Sequence, residues 1–304
     1  MYSRINKIEL AGFHFVGYSL AGEESVIGVP ELNVCFDIGR APTEIINIDN
    51  VLLTHGHMDH SAGIAYYFSQ RNFLANKGGT LVVPKGLVEP IQKLMSAWVE
   101  IEGHYTPYKL IGLEPGEDYK IRRGLVARGF QTIHNGPCLG YSVIEIRQKL
   151  KPEYLDLPGG KLAQLRREGC ELTYNLEVPL VCYCGDTAYG DFFELDYVRR
   201  ARVLVLECTF VEEQHRGRAE AGNHLHLDDF IRLQDMLENE HILLVHLSRR
   251  TTLGAARKLL RSNLTEEQFN RLTFLMSRPY RGHNRGRDSS DIRSNVNAKT
   301  EGNS

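Results

Sequence analysis

The stretch VLLTHGHMDHSAG, residues 51–63, decides how this chain is read. Val51, Leu52 and Leu53 form an apolar run of the kind that makes a buried strand. Gly56 opens a tight loop over Thr54–His57, and a helix is expected to start at Asp59. Within six residues the loop presents three imidazoles and one carboxylate: His55, His57, Asp59 and His60. These are the nitrogen and oxygen donors that zinc favours. Alternate residues cannot all aim at one ion, so His55 with His57, and Asp59 with His60, suit two adjacent ions. The chain has 12 histidines in 304 residues, so three in six positions is not the scatter of an ordinary polar loop.

Two ions need further ligands, and the chain offers them at the ends of apolar runs. His134 follows Phe130–Ile133, Asp186 follows Val178–Cys184 in the turn Gly185-Asp186-Thr187, and His246 follows His241–Val245. Other strand-like runs are Asn33–Phe36, Thr80–Val83, Gly140–Ile146 and Arg202–Leu206, with helical patterns over Ala62–Arg71, Leu87–Trp98, Leu227–Glu238 and Leu253–Leu260. Strands followed by helices predict an α/β fold with sheets covered by helices. Leu150–Leu172 interrupts this rhythm with a short helix behind Pro-Gly-Gly and reads as an insertion between two sheet halves.

Composition bounds the alternatives. The chain is 42% hydrophobic and 24% charged, which supplies a large core. A single domain over 1–280 is expected, with the insertion at about 150–172. From 281 to 304 the residues are almost all polar, too poor in apolar surface to offset ordering entropy, and disorder is predicted. No apolar run reaches the ~18 residues of a membrane span, and the N-terminus has no signal-peptide pattern. The default address is therefore the cytoplasm, with an organelle allowed in a eukaryote. Six cysteines are sparse for this length and suit reduced, buried thiols. A net charge of -2 does not advertise nucleic-acid binding, although Arg249, Arg250, Arg257, Lys258 and Arg261 form a local basic run.

His-x-His-x-Asp-His, then a lone His, then Gly-Asp-Thr, then a strand-terminal His, resembles the metallo-β-lactamase superfamily. A narrower likeness follows from Leu206-Glu207-Cys208-Thr209-Phe210, Gly222-Asn223-His224-Leu225-His226 and His246-Leu247-Ser248-Arg249-Arg250. These segments resemble signatures of the tRNase Z (ribonuclease Z) family. Ala21–Glu24, Leu32–Arg40 and Gln148–Tyr154 are similar to the short plant-type branch, which lacks the long arm that many bacterial members use to grip tRNA. The pattern departs from the family at Asn223, which interrupts a Gly-His pair, at Cys208 and at Leu247.

The resemblance implies a four-layer αββα sandwich with two mixed sheets and the site at their shared edge. It implies that His55, His57 and His134 hold one metal, that Asp59, His60 and His246 hold the other, and that Asp186 bridges them. The expected cofactors are two Zn2+ per chain, with Mn2+ or another divalent ion as substitutes and no organic cofactor. The implied activity is removal of the 3′ trailer of precursor tRNA by metal-hydroxide attack on the phosphodiester. Asp59 would orient the attacking group or accept its proton, His224 would protonate the leaving oxygen, Glu207 would orient His224, and Arg250 would place its guanidinium beside the metal pair to contact phosphate. His226 is expected to be non-catalytic. Family likeness also implies a homodimer. The competing function is a hydrolase of small phosphodiesters or sulfate esters, because one fold hosts many substrates. A scaffold with a degenerate site is a third reading, and the complete ligand set argues against it.

Overall fold

The computed structural model describes residues 5–75 and 78–276; the 281–304 tail, for which disorder is predicted, lies outside the described residues. Within them the strands form two seven-stranded sheets. The first runs β1 (Asn6–Leu10), β2 (Phe13–Leu20), β3 (Glu24–Val29), β4 (Val34–Phe36), β5 (Asn50–Leu52), β6 (Thr80–Pro84) and β7 (Lys109–Leu113), in that spatial order. β1 to β4 pair antiparallel, and β4 to β7 pair parallel. The second contains β8 (Asp118–Arg122), β9 (Leu125–Gln131), β10 (Leu139–Leu150), β11 (Thr173–Tyr183), β12 (Val203–Glu207), β13 (His241–Val245) and β14 (Leu272–Phe274). It repeats the design: β8 to β11 are antiparallel and β11 to β14 parallel.

Side-chain alternation builds the layers. Successive residues of a strand face opposite sides, so a strand buried on both faces must be apolar throughout. Val203 and Val205 of β12 turn inward into one core cluster with Tyr141 and Tyr183 of the same sheet and Phe36 and Leu52 of the first sheet. Leu204 and Leu206 turn outward against the helices. Burying each such side chain contributes ~1.5–3 kcal/mol, and truncating one to Ala costs ~2–5 kcal/mol.

Helices cover both outer faces. After the four-residue α1 (Met58–Ser61), α2 (Ile64–Phe73) and α3 (Val88–Glu102) lie on the first sheet, where Tyr67, Phe68, Ile91 and Met95 pack against Val51, Leu53, Leu81 and Val83. α4 (Gly159–Arg167) lies between β10 and β11. The second sheet is covered by α5 (Asp196–Arg199), α6 (Arg216–Gly222), α7 (Leu227–Leu233), α8 (Leu253–Asn263) and α9 (Glu266–Asn270). This is the four-layer αββα arrangement that the family resemblance implies. Among the described residues no helix is long and apolar enough to cross a membrane.

Three sequence expectations need correction. Residues 150–172 do not separate two sheet halves: β10 and β11 pair with each other from Tyr141–Tyr183 out to Leu150–Thr173, so the segment is the tip of one long hairpin within the second sheet. The helix start expected at Asp59 does not run on into the helix expected over 62–71: α1 ends at Ser61 and α2 begins at Ile64, with Gly63 as its N-cap. A Cβ on Gly63 would lie 2.5 Å from the backbone nitrogen of Ala41, so only glycine allows this close approach. Finally, α7 stops at Leu233 instead of Glu238, and the Arg271 guanidinium takes up the carbonyls of Gln234 and Leu237 beyond it.

Candidate metal centre

β4, β5, β9, β11, β12 and β13 all deliver their C-terminal ends to the edge where the sheets meet, as ligand sites in α/β folds do. The loop after β5 is stitched to both sheets: Leu53 N–H donates to the Val82 carbonyl at 2.9 Å, and Leu139 N–H donates to the Thr54 carbonyl at 2.9 Å. Gly185 makes room for this loop. Its φ is +65°, and a Cβ there would lie 2.8 Å from the Thr54 Cβ. His246 follows β13 with φ 57°, a left-handed conformation that non-glycine residues rarely adopt, and its N–H is tied to Ser19 Oγ at 3.0 Å.

The seven side chains expected as ligands converge in two groups. One comprises His55, His57, His134 and Asp186; the other comprises Asp59, His60 and His246. His57 Nδ1 and His134 Nε2 stand 3.2 Å apart, and His60 Nε2 and His246 Nε2 3.4 Å apart. Asp186 Oδ2 lies between the groups, 3.8 Å from His55 Nε2, 3.3 Å from His60 Nε2, 4.0 Å from His134 Nε2 and 3.3 Å from His246 Nε2. Asp59 Oδ2 is 3.7 Å from His60 Nε2 and 3.5 Å from His246 Nε2, and accepts the Gly22 N–H at 2.9 Å.

The outward nitrogens are spoken for. His60 Nδ1 meets Asp37 Oδ2 at 2.6 Å, His134 Nδ1 meets the Asn223 carbonyl at 3.1 Å, His55 Nδ1 meets Thr54 Oγ1 at 3.0 Å, and His246 Nδ1 meets Thr209 Oγ1 at 3.1 Å. What remains are lone pairs facing inward. His55 Nε2 and Asp186 Oδ1 are buried with no hydrogen-bond partner at all. Nitrogens this close to one another need a proton or a cation between them.

Charge balance makes the same demand. Asp37, Asp186 and Glu207 are buried, yet among the described residues their ion pairs are with histidines and none is with Lys or Arg. Buried carboxylates without compensating charge are costly. Burial and then the neighbouring His60 push His55 down to about 2. Burial also opposes charge on His60, but Asp186 and Asp37 outweigh it and hold that imidazole well above its ordinary value. For Asp186 burial would favour the neutral acid, and the imidazoles of His246 and His60 overcome it to hold the carboxylate ionised. The donor set, its inward lone pairs and its appetite for positive charge fit divalent cations.

Beside this centre, Glu207 Oε1 accepts from His224 Nδ1 at 2.9 Å and from Thr187 N–H at 2.7 Å. Burial opposes charge on His224, but Glu207 lifts the imidazole to about 9. The His224 ring stacks on His246 with centroids 5.4 Å apart and sits 5.1 Å from His134. His224 also forms a third donor group with Asp186 and His246, which overlaps the others instead of making a separate site. His226 is turned away: its Nδ1 caps α7 by accepting the Asp228 N–H, and its Nε2 faces the Glu212 carbonyl. Arg250 is exposed on the turn after His246, bonded through its backbone N–H to Ser248 Oγ, and its guanidinium makes no ion pair among the described residues. The structure thus gathers every expected site residue except Arg250, which stands four positions beyond His246 with its side chain in solvent.

Sequence reasoning missed Asp37, Thr54 and Thr209. A signal existed for the first: Asp37 follows the apolar run Val34–Phe36 just as Asp186 and Glu207 follow theirs.

Comparison with known proteins fits this geometry. A family model described as Beta-lactamase superfamily domain matches residues 35–247. A tRNase Z of Arabidopsis thaliana is 32% identical over 251 residues, covering 81% of this chain and 89% of that protein. The chain belongs to the tRNase Z family. Another Arabidopsis thaliana tRNase Z, named as chloroplastic, is 32% identical over 248 residues, covering 80% of this chain and 70% of that one. A nuclear ribonuclease Z of Triticum aestivum is 34% identical over 167 residues, 55% of this chain and 95% of that protein. The human short-form tRNase Z structure aligns with a TM-score of 0.56 at 14% identity, covering 86% of this chain and 94% of that one, a likeness of fold alone. For a tRNase Z family member, the inward lone pairs and the Glu207–His224 pair form one continuous site.

Proposed function

We propose that this protein is a metal-dependent endoribonuclease that removes the 3′ trailer of precursor tRNA. The observation that carries the reading is the Glu207–His224 pair set against the metal-ligand cluster in a tRNase Z family member. His55, His57 and His134 would hold one cation and Asp59, His60 and His246 the other, with Asp186 shared. Zinc suits this histidine–carboxylate set, and manganese is the natural substitute. Bound there, a pair of divalent cations supplies an activated water and offsets charge on the phosphodiester.

The chain's own groups do the rest. Asp59, pinned by the Gly22 N–H, orients the attacking water. His224, held charged by Glu207, donates its Nε2 proton to the departing 3′-oxygen as the P–O3′ bond breaks. The water oxygen replaces it on phosphorus, so the trailer keeps the phosphate and the tRNA ends in a hydroxyl. A positioned general acid of this kind contributes roughly 10²–10⁴-fold in rate. Arg250, free in solvent past His246, contacts a substrate phosphate outside the reacting bond. The reading includes a single hydrolase domain over residues 1–280, a homodimer on family likeness, and a cytoplasmic or organellar address.

The test is cleavage of a trailer-bearing tRNA precursor beside a chromogenic phosphodiester, with Asp59→Ala and His224→Ala alongside wild type. One cut at the trailer, lost in Asp59→Ala, is expected. Hydrolysis of the small ester with the RNA left whole would transfer the assignment to the small phosphodiester or sulfate-ester reading.

A further inference from the structure

Two buried carboxylates, one from each sheet, are wired to the centre in the same way. Asp37 follows β4 and Glu207 ends β12. Each takes one imidazole directly: His60 Nδ1 at 2.6 Å from Asp37, and His224 Nδ1 at 2.9 Å from Glu207. Each also takes a threonine hydroxyl that faces a second imidazole. Thr54 Oγ1 is 2.9 Å from Asp37 Oδ1 and 3.0 Å from His55 Nδ1. Thr209 Oγ1 bonds Glu207 Oε2 and is 3.1 Å from His246 Nδ1.

Proton accounting fixes the direction of these bonds. An ionised carboxylate only accepts, and a hydroxyl has one proton to give. Each threonine therefore donates to its carboxylate and must accept from its histidine. His55 and His246 are then both Nδ1–H tautomers, with the lone pair on Nε2. That is the atom left unpartnered in His55, and in His246 it is the atom facing Asp59 and Asp186.

We propose that Thr54 and Thr209 are positioning residues whose hydroxyls fix the tautomer and aim of one metal-binding imidazole in each half of the centre. The proposal rests on the metal reading of the site and is independent of RNA as the substrate. Valine has nearly the shape of threonine but cannot accept a hydrogen bond. In its place the imidazole Nδ1–H is left buried and unpaired, and the ring gains the freedom to carry its proton on Nε2, where no metal can bind. Groups that orient metal-ligating histidines are typically worth ~10–100-fold in metal affinity. Because His55 and His246 fall in different ligand groups, each valine variant is expected to weaken one position and spare the other.

The experiment uses the full chain as wild type, Thr54→Val, Thr209→Val, Thr54→Ser and Thr209→Ser. Zinc affinity is measured by chelator competition, and the cobalt-substituted absorption spectrum reports ligand geometry. Each valine variant should keep one ion at wild-type affinity and bind the other ~10–100-fold more weakly, with altered cobalt bands, while the serine variants restore both. Two ions held at wild-type affinity by both valine variants would overturn the relay. A wild type that binds no divalent cation would overturn the metal reading itself, a separate result. Should the valine variants not fold, ¹⁵N spectra of wild-type histidines decide the matter: Nδ1–H tautomers at His55 and His246 are expected, and Nε2–H at either would refute the role of its threonine.

Discussion

Glu207 and His224 meet at 2.9 Å, the carboxylate fully buried at the end of β12 and the imidazole on the rim of the candidate metal-ligand cluster. The remaining capacity of Glu207 is taken by the N–H groups of Thr187, Thr209 and Leu225 and by the Thr209 hydroxyl. It is thereby locked in place, and it presents His224 to the cluster as a charged donor with little freedom to turn.

Replacing His224 by Ala should lower single-turnover cleavage by roughly 10²–10⁴-fold, the contribution of a positioned general acid. Metal content should not change, because the two principal ligand groups do not include His224. Metal analysis beside the cleavage assay checks both halves; loss of metal together with activity would make His224 a ligand instead.

In metal-free protein, the His224 imidazole should titrate near 9, followed by ¹H–¹⁵N NMR, because Glu207 outweighs the effect of burial. This folded-state value lies above the ordinary value near 6.5. The pair therefore adds stability that is complete below about pH 6.5 and is lost as pH rises through the folded-state value. Glu207→Gln should lower the His224 midpoint and remove that alkaline loss. A midpoint unmoved by the substitution would show that Glu207 does not hold the charge.

Asp186 faces four imidazoles across both ligand groups. Asp186→Ala should reduce metal content and depress cleavage more than His224→Ala does, since it strips a donor from both positions. Plasma mass spectrometry of the purified variant, with parallel rate measurements, gives the comparison; a variant that keeps its metal would remove Asp186 from the shared role.

Asp37 is fully buried and takes hydrogen bonds from Thr54, His60 and Tyr183. Removing one partner of a buried charge pair costs about 3–5 kcal/mol. Asp37→Ala should therefore lower the urea-unfolding free energy by about that amount, even in metal-free protein. A change within the ~0.5 kcal/mol typical of surface substitutions would contradict the account.

How much of this was legible in the sequence follows from how each residue acts. The candidate metal ligands stand out because coordination would restrict the residue type and a tight loop restricts the spacing, so His55–His60 is visible without coordinates. The buried strands are visible because burial on both faces requires unbroken apolar runs such as Val203–Leu206. β8 was not, since its edge position leaves Asp118, Lys120 and Arg122 in solvent and erases the apolar signal. β2 and β3 were also missed: Gly17 and Gly28 interrupt their alternation at positions where a Cβ would strike a neighbour. Thr54 and Thr209 were illegible for another reason, because a threonine becomes a relay only when a carboxylate from one strand and an imidazole from another close on it. Conversely, the hairpin tip at 150–172 was visible as an interruption, but local composition could not reveal that β10 and β11 pair on either side of it.

The most direct test of the central claim is the divalent-metal content of the natively purified chain, measured by mass spectrometry before and after chelation, with precursor cleavage assayed on each sample. The account predicts about two ions per chain, loss of trailer removal when they are stripped, and recovery on adding zinc or manganese back. Fewer than about one ion per chain, or cleavage that survives complete stripping, would contradict it.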